Sequence, residues 1–308
     1  MTASLIAWRA VLFQYVSFLS AYWMLGAVGF RYAILRSNAR AERAGDVGVA
    51  YGRAAMSAAV VGLVGVGLGG VAFIESLLKR AEAKHQRFID AFGAGGTASL
   101  AQAILLGVSL LGFALALRRV SAGWPIAGAS VVTFALRNVL GGRLAGMVNP
   151  LHVAGGSLWL GTLFVLVVCG LGQMLRAPLP TREREQAIAE MVHRFSTVGL
   201  TGAAILGATG LITSWTHLNP LSALWTTPYG YALITKLCVV AVVLGLGAWN
   251  WRRVGPSLGS EGGGVMIRRS ASTELAFAAL VLLITAVLVS LPSPKRPDAS
   301  AVSTHRAP

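Results

Sequence analysis

Charge is what this chain has least of. Asp, Glu, Lys and Arg make up 12% of its 308 residues, about half the fraction of a soluble domain, which excludes an ordinary water-facing surface. Acidic residues are scarcer still, eleven against twenty-six Lys and Arg, too few and too scattered for paired-carboxylate catalysis. The two cysteines, Cys169 and Cys238, both fall inside apolar runs. They read as small buried hydrophobes, not as a disulfide frame or a CxxC metal site. There is no phosphate-cradling glycine loop between strand and helix, no nucleophile elbow and no HExxH, so no enzymatic activity is expected. No basic run is interleaved with aromatics on a polar face, so nucleic acid is set aside. The formal net charge of +15 is assigned to membrane orientation and lipid headgroups.

What remains is apolar sequence in stretches of roughly 20 residues, the length that crosses a bilayer as a helix. Eight spans are expected, near 10–33, 53–74, 97–117, 123–140, 150–175, 195–215, 228–250 and 271–291. The fold class is an all-α integral membrane protein. The fourth span is the weakest, interrupted by Gly123, Pro125 and Gly128 and crowded by Arg137. The first apolar run is too long for a signal h-region and lacks an A-x-A-like cleavage site, so it is taken as a permanent span. Residues 293–308, rich in Pro, Ser and Ala, read as a disordered tail. Fifteen Lys and Arg flank one side of the spans and ten the other, which favours the richer side as cytoplasmic and puts both termini outside.

The chain divides into an N-terminal four-helix half, residues 1–147, and a second four-helix half, residues 148–292. The halves read as a weak internal repeat. Trp23 and Gly26 precede Arg53 and Gly69; Trp159 and Gly161 precede Arg194 and Gly210. A duplicated four-helix unit explains this, and so does chance in a chain with 37 glycines. Gly65 and Gly69 stand in GxxxG spacing, which suits close helix packing in lipid. Between the second and third spans, Ile74, Leu77, Leu78, Ala81, His85, Phe88 and Phe92 recur every three or four residues. They predict an amphipathic helix near 74–92 that lies on the outer interface or extends the second helix, with His85 on its apolar stripe.

Chemistry concentrates on one side. Asn149 suits the cap and Pro150 the first position of the fifth helix, which places His152 in its first turn. His85, His152 and His217 all fall on the outer side. Imidazole binds copper or zinc and thioether suits Cu(I), so these three with Met147 form a candidate metal set; interfacial histidines without a ligand are the plainer alternative. His193 reads as a solvated helix-start residue, and His305 lies in the tail. Two ionisable residues sit within spans. Lys236 reads either as a gate lining a pathway or as a snorkelling side chain. Glu274 is expected in a structural ion pair with Arg253, Arg268 or Arg194.

The series His152, Trp159-Leu-Gly161, Arg194-Phe195-Ser196, Thr209-Gly210-Leu211, Thr227-Pro-Tyr229-Gly230, Lys236-Leu237, Asn250-Trp251-Arg252, Pro256 and Glu274 before Pro292 resembles the copper resistance protein D (CopD) family of bacterial inner-membrane proteins. The resemblance covers roughly residues 148–292. It implies a protein of copper homeostasis that moves copper ions from periplasm to cytoplasm, beside a periplasmic copper-binding partner protein. The Met-rich segments common among copper proteins are missing here. Two other readings stay open: a haem-binding membrane redox protein using His152 and His217, and a non-transporting membrane partner of another copper protein.

Overall fold

The computed structural model describes residues 7–35, 45–140, 144–217 and 222–291. All regular structure among them is helical, and seven helices are long and apolar enough to cross a membrane. Helix α1 is Trp8–Gly29, ending in a π turn, Phe30–Ile34; α2 is Asp46–Ala83, α3 Phe88–Ala94 and α4 Gly96–Leu117. Helix α5, Gly123–Leu140, is the weak fourth span: a helix, but not one of the seven. Residues 144–176 form one helix, α6, carrying π turns at Ser157–Gly161 and Leu166–Leu171. Then come α7 Thr181–His217, the short α8 Ala223–Thr226, α9 Pro228–Trp249 with its π turn Asn250–Val254, and α10 Gly263–Ser290. Arg36, Arg40, Arg43, Arg143 and the tail from residue 292 onward, with His305, lie outside the described residues.

Local signals explain several boundaries. Thr227 accepts a hydrogen bond from the Gly230 N–H at 3.0 Å, and Pro228 opens α9, the usual cap-and-proline start. The N-terminus of α10 is capped from another helix. Buried Glu185 on α7 accepts the Gly264 N–H at 2.8 Å. Removing that acceptor leaves a buried N–H unsatisfied, a cost of about 1–3 kcal/mol. Glu185→Ala should therefore unfold in detergent at lower denaturant than wild type, and Glu185→Gln, which keeps an oxygen, should lose less. Equal midpoints for all three would remove the cap from the stability account.

Helix α6 is the axis of the bundle. Of its most apolar window 72% is buried, against 11–39% for the other six spanning helices. It packs on α1, α2, α5, α7 and α10. The crossing with α1 brings backbone to backbone: a Cβ on Gly161 would stand 2.2 Å from the Tyr22 carbonyl, and one on Gly26 2.4 Å from Gly161. Trp23 stacks on Phe164 beside it, centroids 5.3 Å apart. A large core cluster, with Phe30, Ile34, Leu166, Leu171, Met174, Ile188 and Met191, joins the C-terminal ends of α1 and α6 to the start of α7.

The two halves make matching contacts about this crossing. Helices α1 and α2 pair as α6 and α7 do; α4 and α5 pair as α9 and α10 do; α1 packs on α10 as α6 packs on α5. Gln173 on α6 donates to Ser57 on α2 at 3.0 Å, and Arg194 on α7 donates to the Ile34 carbonyl at the end of α1 at 2.9 Å. The repeat breaks at one place. Helices α2 and α4 pack closely, with Gly62 against Phe113. Their counterparts α7 and α9 make little contact, and their outward residues Leu200, Leu211, Trp215 and Leu237 are exposed to the surrounding medium.

The stripe near 74–92 is not one helix. Helix α2 continues to Ala83, and α3 restarts at Phe88. His85 lies in the turn between them at φ 48, exposed. The chain must reverse here to enter α4, and a left-handed turn interrupts the period that the apolar residues keep.

Candidate functional site

The expected first-turn position of His152 is corrected by the fold. Helix α6 begins at Leu144, and Pro150 lies inside it. His152 stands more than two turns in, about 12 Å along the axis. A proline within a helix forfeits one backbone hydrogen bond, but packed neighbours make it tolerable in a membrane helix. The histidine is thus held within the bundle instead of at its rim.

Its ring is oriented by α7. Nδ1 lies 3.0 Å from Thr209 Oγ1. The Thr209 hydroxyl also lies 2.6 Å from the Ile205 carbonyl. His152 Nδ1 and the Thr209 hydroxyl share one hydrogen bond, whose direction follows the ring tautomer. The Leu206 carbonyl interacts with the same ring. Gly210 makes room: a Cβ there would approach His152 Cε1 to 3.1 Å. A histidine held through one nitrogen, with the other free, is the form in which imidazole binds a metal.

Two further groups share this level. Lys236, partly buried on α9, is within electrostatic reach of His152. It also stands about 12 Å along its helix. Tyr22 of α1 is buried, and its hydroxyl fills the space left by Gly156, where a Cβ would stand 2.2 Å away. Gly156 lies one turn below His152 on the same face of α6. Neither Tyr22 nor Thr209 was singled out for a role from sequence. Thr209 stood in the Thr209-Gly210 motif, while a tyrosine in an apolar span carries no signal of what it faces.

The other expected ligands do not gather here. His85 is in the exposed turn after α2. Met147 is five residues before His152 on one helix, which turns it about 140° away. His217 ends α7, and its side chain lies outside the described residues. Among the described residues no three His, Cys, Asp or Glu side chains form a metal-binding group. His193 is exposed.

The expected ion pair of Glu274 is absent among the described residues. The carboxyl is buried and accepts from Asn250 Nδ2 at 3.2 Å. Arg194 is instead engaged by the Ile34 carbonyl and Glu190, so it ties α7 to the end of α1. Between the two polar levels lies an apolar layer of Trp159, Leu160, Val243, Ala278, Val281 and Leu282, with Phe195 and Phe277 against it.

Residues 189–288 match the family described as Copper resistance protein D. Over 158 residues the chain is 31% identical to "Copper transport protein CutJ" of Bacillus subtilis (strain 168). That alignment takes in 49% of this chain and 26% of the relative, so the chain spans about a quarter of the curated relative it matches. No solved structure matches the chain.

Proposed function

We propose that this chain, a multi-pass membrane protein whose residues 189–288 match the copper resistance protein D family, serves copper homeostasis by moving copper ions across the bacterial inner membrane, from periplasm to cytoplasm. The observation that carries the reading is the His152 ring, held about 12 Å inside the outer end of α6 by the hydrogen bond between its Nδ1 and the Thr209 hydroxyl. Copper is cargo here, so a single imidazole with neighbouring oxygen groups suits transient ligation better than a closed ligand cage. Lys236 beside it sets the charge of the same level. No catalytic step is assigned to the chain. A periplasmic copper-binding protein is the partner that would load the site.

The test is the metal content and visible spectrum of detergent-purified protein after copper loading, followed by copper uptake into proteoliposomes. Bound copper with uptake is expected. Bound copper without uptake would leave a non-transporting membrane partner. A Soret band would replace copper with haem, whose second axial ligand would have to come from elsewhere than the described side chains around His152.

A further inference from the structure

A second polar cluster lies on the inner side of the apolar layer, about four turns and roughly 21 Å along α9 from Lys236. At its centre is Glu274 of α10, 5% exposed. Asn250 Nδ2 donates to Glu274 Oε2 at 3.2 Å, and the Ser270 hydroxyl donates to Asn250 Oδ1. Asn250 opens the π turn that ends α9. Such turns re-aim side chains and collect at functional positions. The carboxyl lies against α9 at Gly247, where a Cβ would stand 3.6 Å from Oε1, an ordinary contact. A shallow surface depression lined by Trp249, Met266, Arg269, Ser270 and Thr273 borders the cluster at Ser270.

An ionised carboxylate buried in this way requires a cation or several N–H donors. Among the described residues Glu274 has one donor, Asn250. The ionisable groups near it are otherwise engaged or distant. Arg194 and Glu190 of α7 pair with each other, and Glu185 caps Gly264. On α9, Arg253 stacks over Trp249, and Arg252 is exposed. Cys169 of α6 is buried, and Tyr22 of α1 turns its hydroxyl away to Gly156, at the level of His152. On α10 itself, Arg268 and Arg269 form no ion pair with it, and no Lys, Arg or His nitrogen is within ion-pairing distance of the carboxyl among the described residues.

We propose that Glu274 is a proton-binding site of the bundle, neutral in this arrangement at physiological pH, and that it exchanges its proton for a cation reaching the inner cluster. The exchange is an acid–base step. The Glu274 O–H bond breaks, the proton leaves to water, and the carboxylate takes up the charge of the cation; no electron moves. The cation is the copper ion of the reading above, on which this half rests, whereas the proton site stands without it.

Infrared difference spectroscopy of the full-length protein in detergent tests both halves. Wild type at neutral pH should show the C=O stretch of a protonated carboxylic acid, shifted in D2O and lost in Glu274→Gln. Absence of that band, or its persistence in Glu274→Gln, would overturn the proposal. If the variant does not fold, the wild-type band should still vanish on raising the pH, and its absence at neutral pH decides alone. Adding copper should bleach the band and acidify a weakly buffered sample. Copper bound with the band unchanged would overturn the exchange. A present band with no copper bound would defeat the copper reading and leave the proton site standing.

Discussion

Gly161→Val is expected to abolish the folded bundle. A Cβ at Gly161 would meet the Tyr22 carbonyl at 2.2 Å and Gly26 Cα at 3.3 Å. Both obstacles are backbone, so no rotamer relieves them, and α1 must separate from α6. Overpacking a core side chain costs about 1–3 kcal/mol, occasionally more. Here separation also unstacks Trp23 from Phe164 and opens the contacts that α1 makes with most of the bundle. The loss therefore approaches the total stability of an ordinary domain, about 5–15 kcal/mol. Size-exclusion chromatography of detergent-solubilised protein should show aggregate for Gly161→Val. Gly245→Val, at a glycine with nothing within 4 Å, should elute as wild type. A monodisperse Gly161→Val with the wild-type unfolding midpoint would mean that the two backbones do not meet there.

His152→Ala is expected to remove copper binding, and Thr209→Val to weaken it by about 10–100-fold, the usual effect of losing the group that orients a ligating histidine. The two changes separate roles. Alanine removes the imidazole itself. Valine keeps the shape of Thr209 but removes the hydroxyl that bonds Nδ1, so the ring loses its fixed orientation while its nitrogens remain. Equilibrium dialysis against a competing chelator gives both Kd values. Wild-type affinity in His152→Ala would place the copper site elsewhere in the bundle. Equal, complete loss in both variants would mean that Thr209 touches the metal directly.

Much of this arrangement is written in residue order, because the bilayer leaves few choices. With no water in its core, backbone groups must be satisfied within helices, so apolar length alone located the spans, and seven of the eight expected are long and apolar enough to cross. The Trp159–Gly161 run marked the helix that became the axis, and its likeness to Trp23–Gly26 reflects a crossing at which Gly26 and Gly161 face each other. The finer placements were not legible, for separate physical reasons. Pro150 reads as a helix start because proline usually breaks a helix in water, and that rule relaxes among packed membrane helices. Glu274 was given a charged partner because charges attract, yet a π turn invisible in sequence delivered the Asn250 amide instead. The apolar period from Ile74 to Phe92 survives a left-handed turn at His85, since periodicity records which residues are apolar and not whether the backbone between them stays helical.

The apolar layer around Trp159 has an electrical consequence. Moving a bare ion into a medium of that kind carries an idealised solvation cost of order 20 kcal/mol. Trp159, Leu160, Val243, Ala278, Val281 and Leu282 thus form an insulator across the second half, with a polar level on either side. An ion passes from one polar level to the other only where a displacement of α9 or α10 against α6 parts that layer.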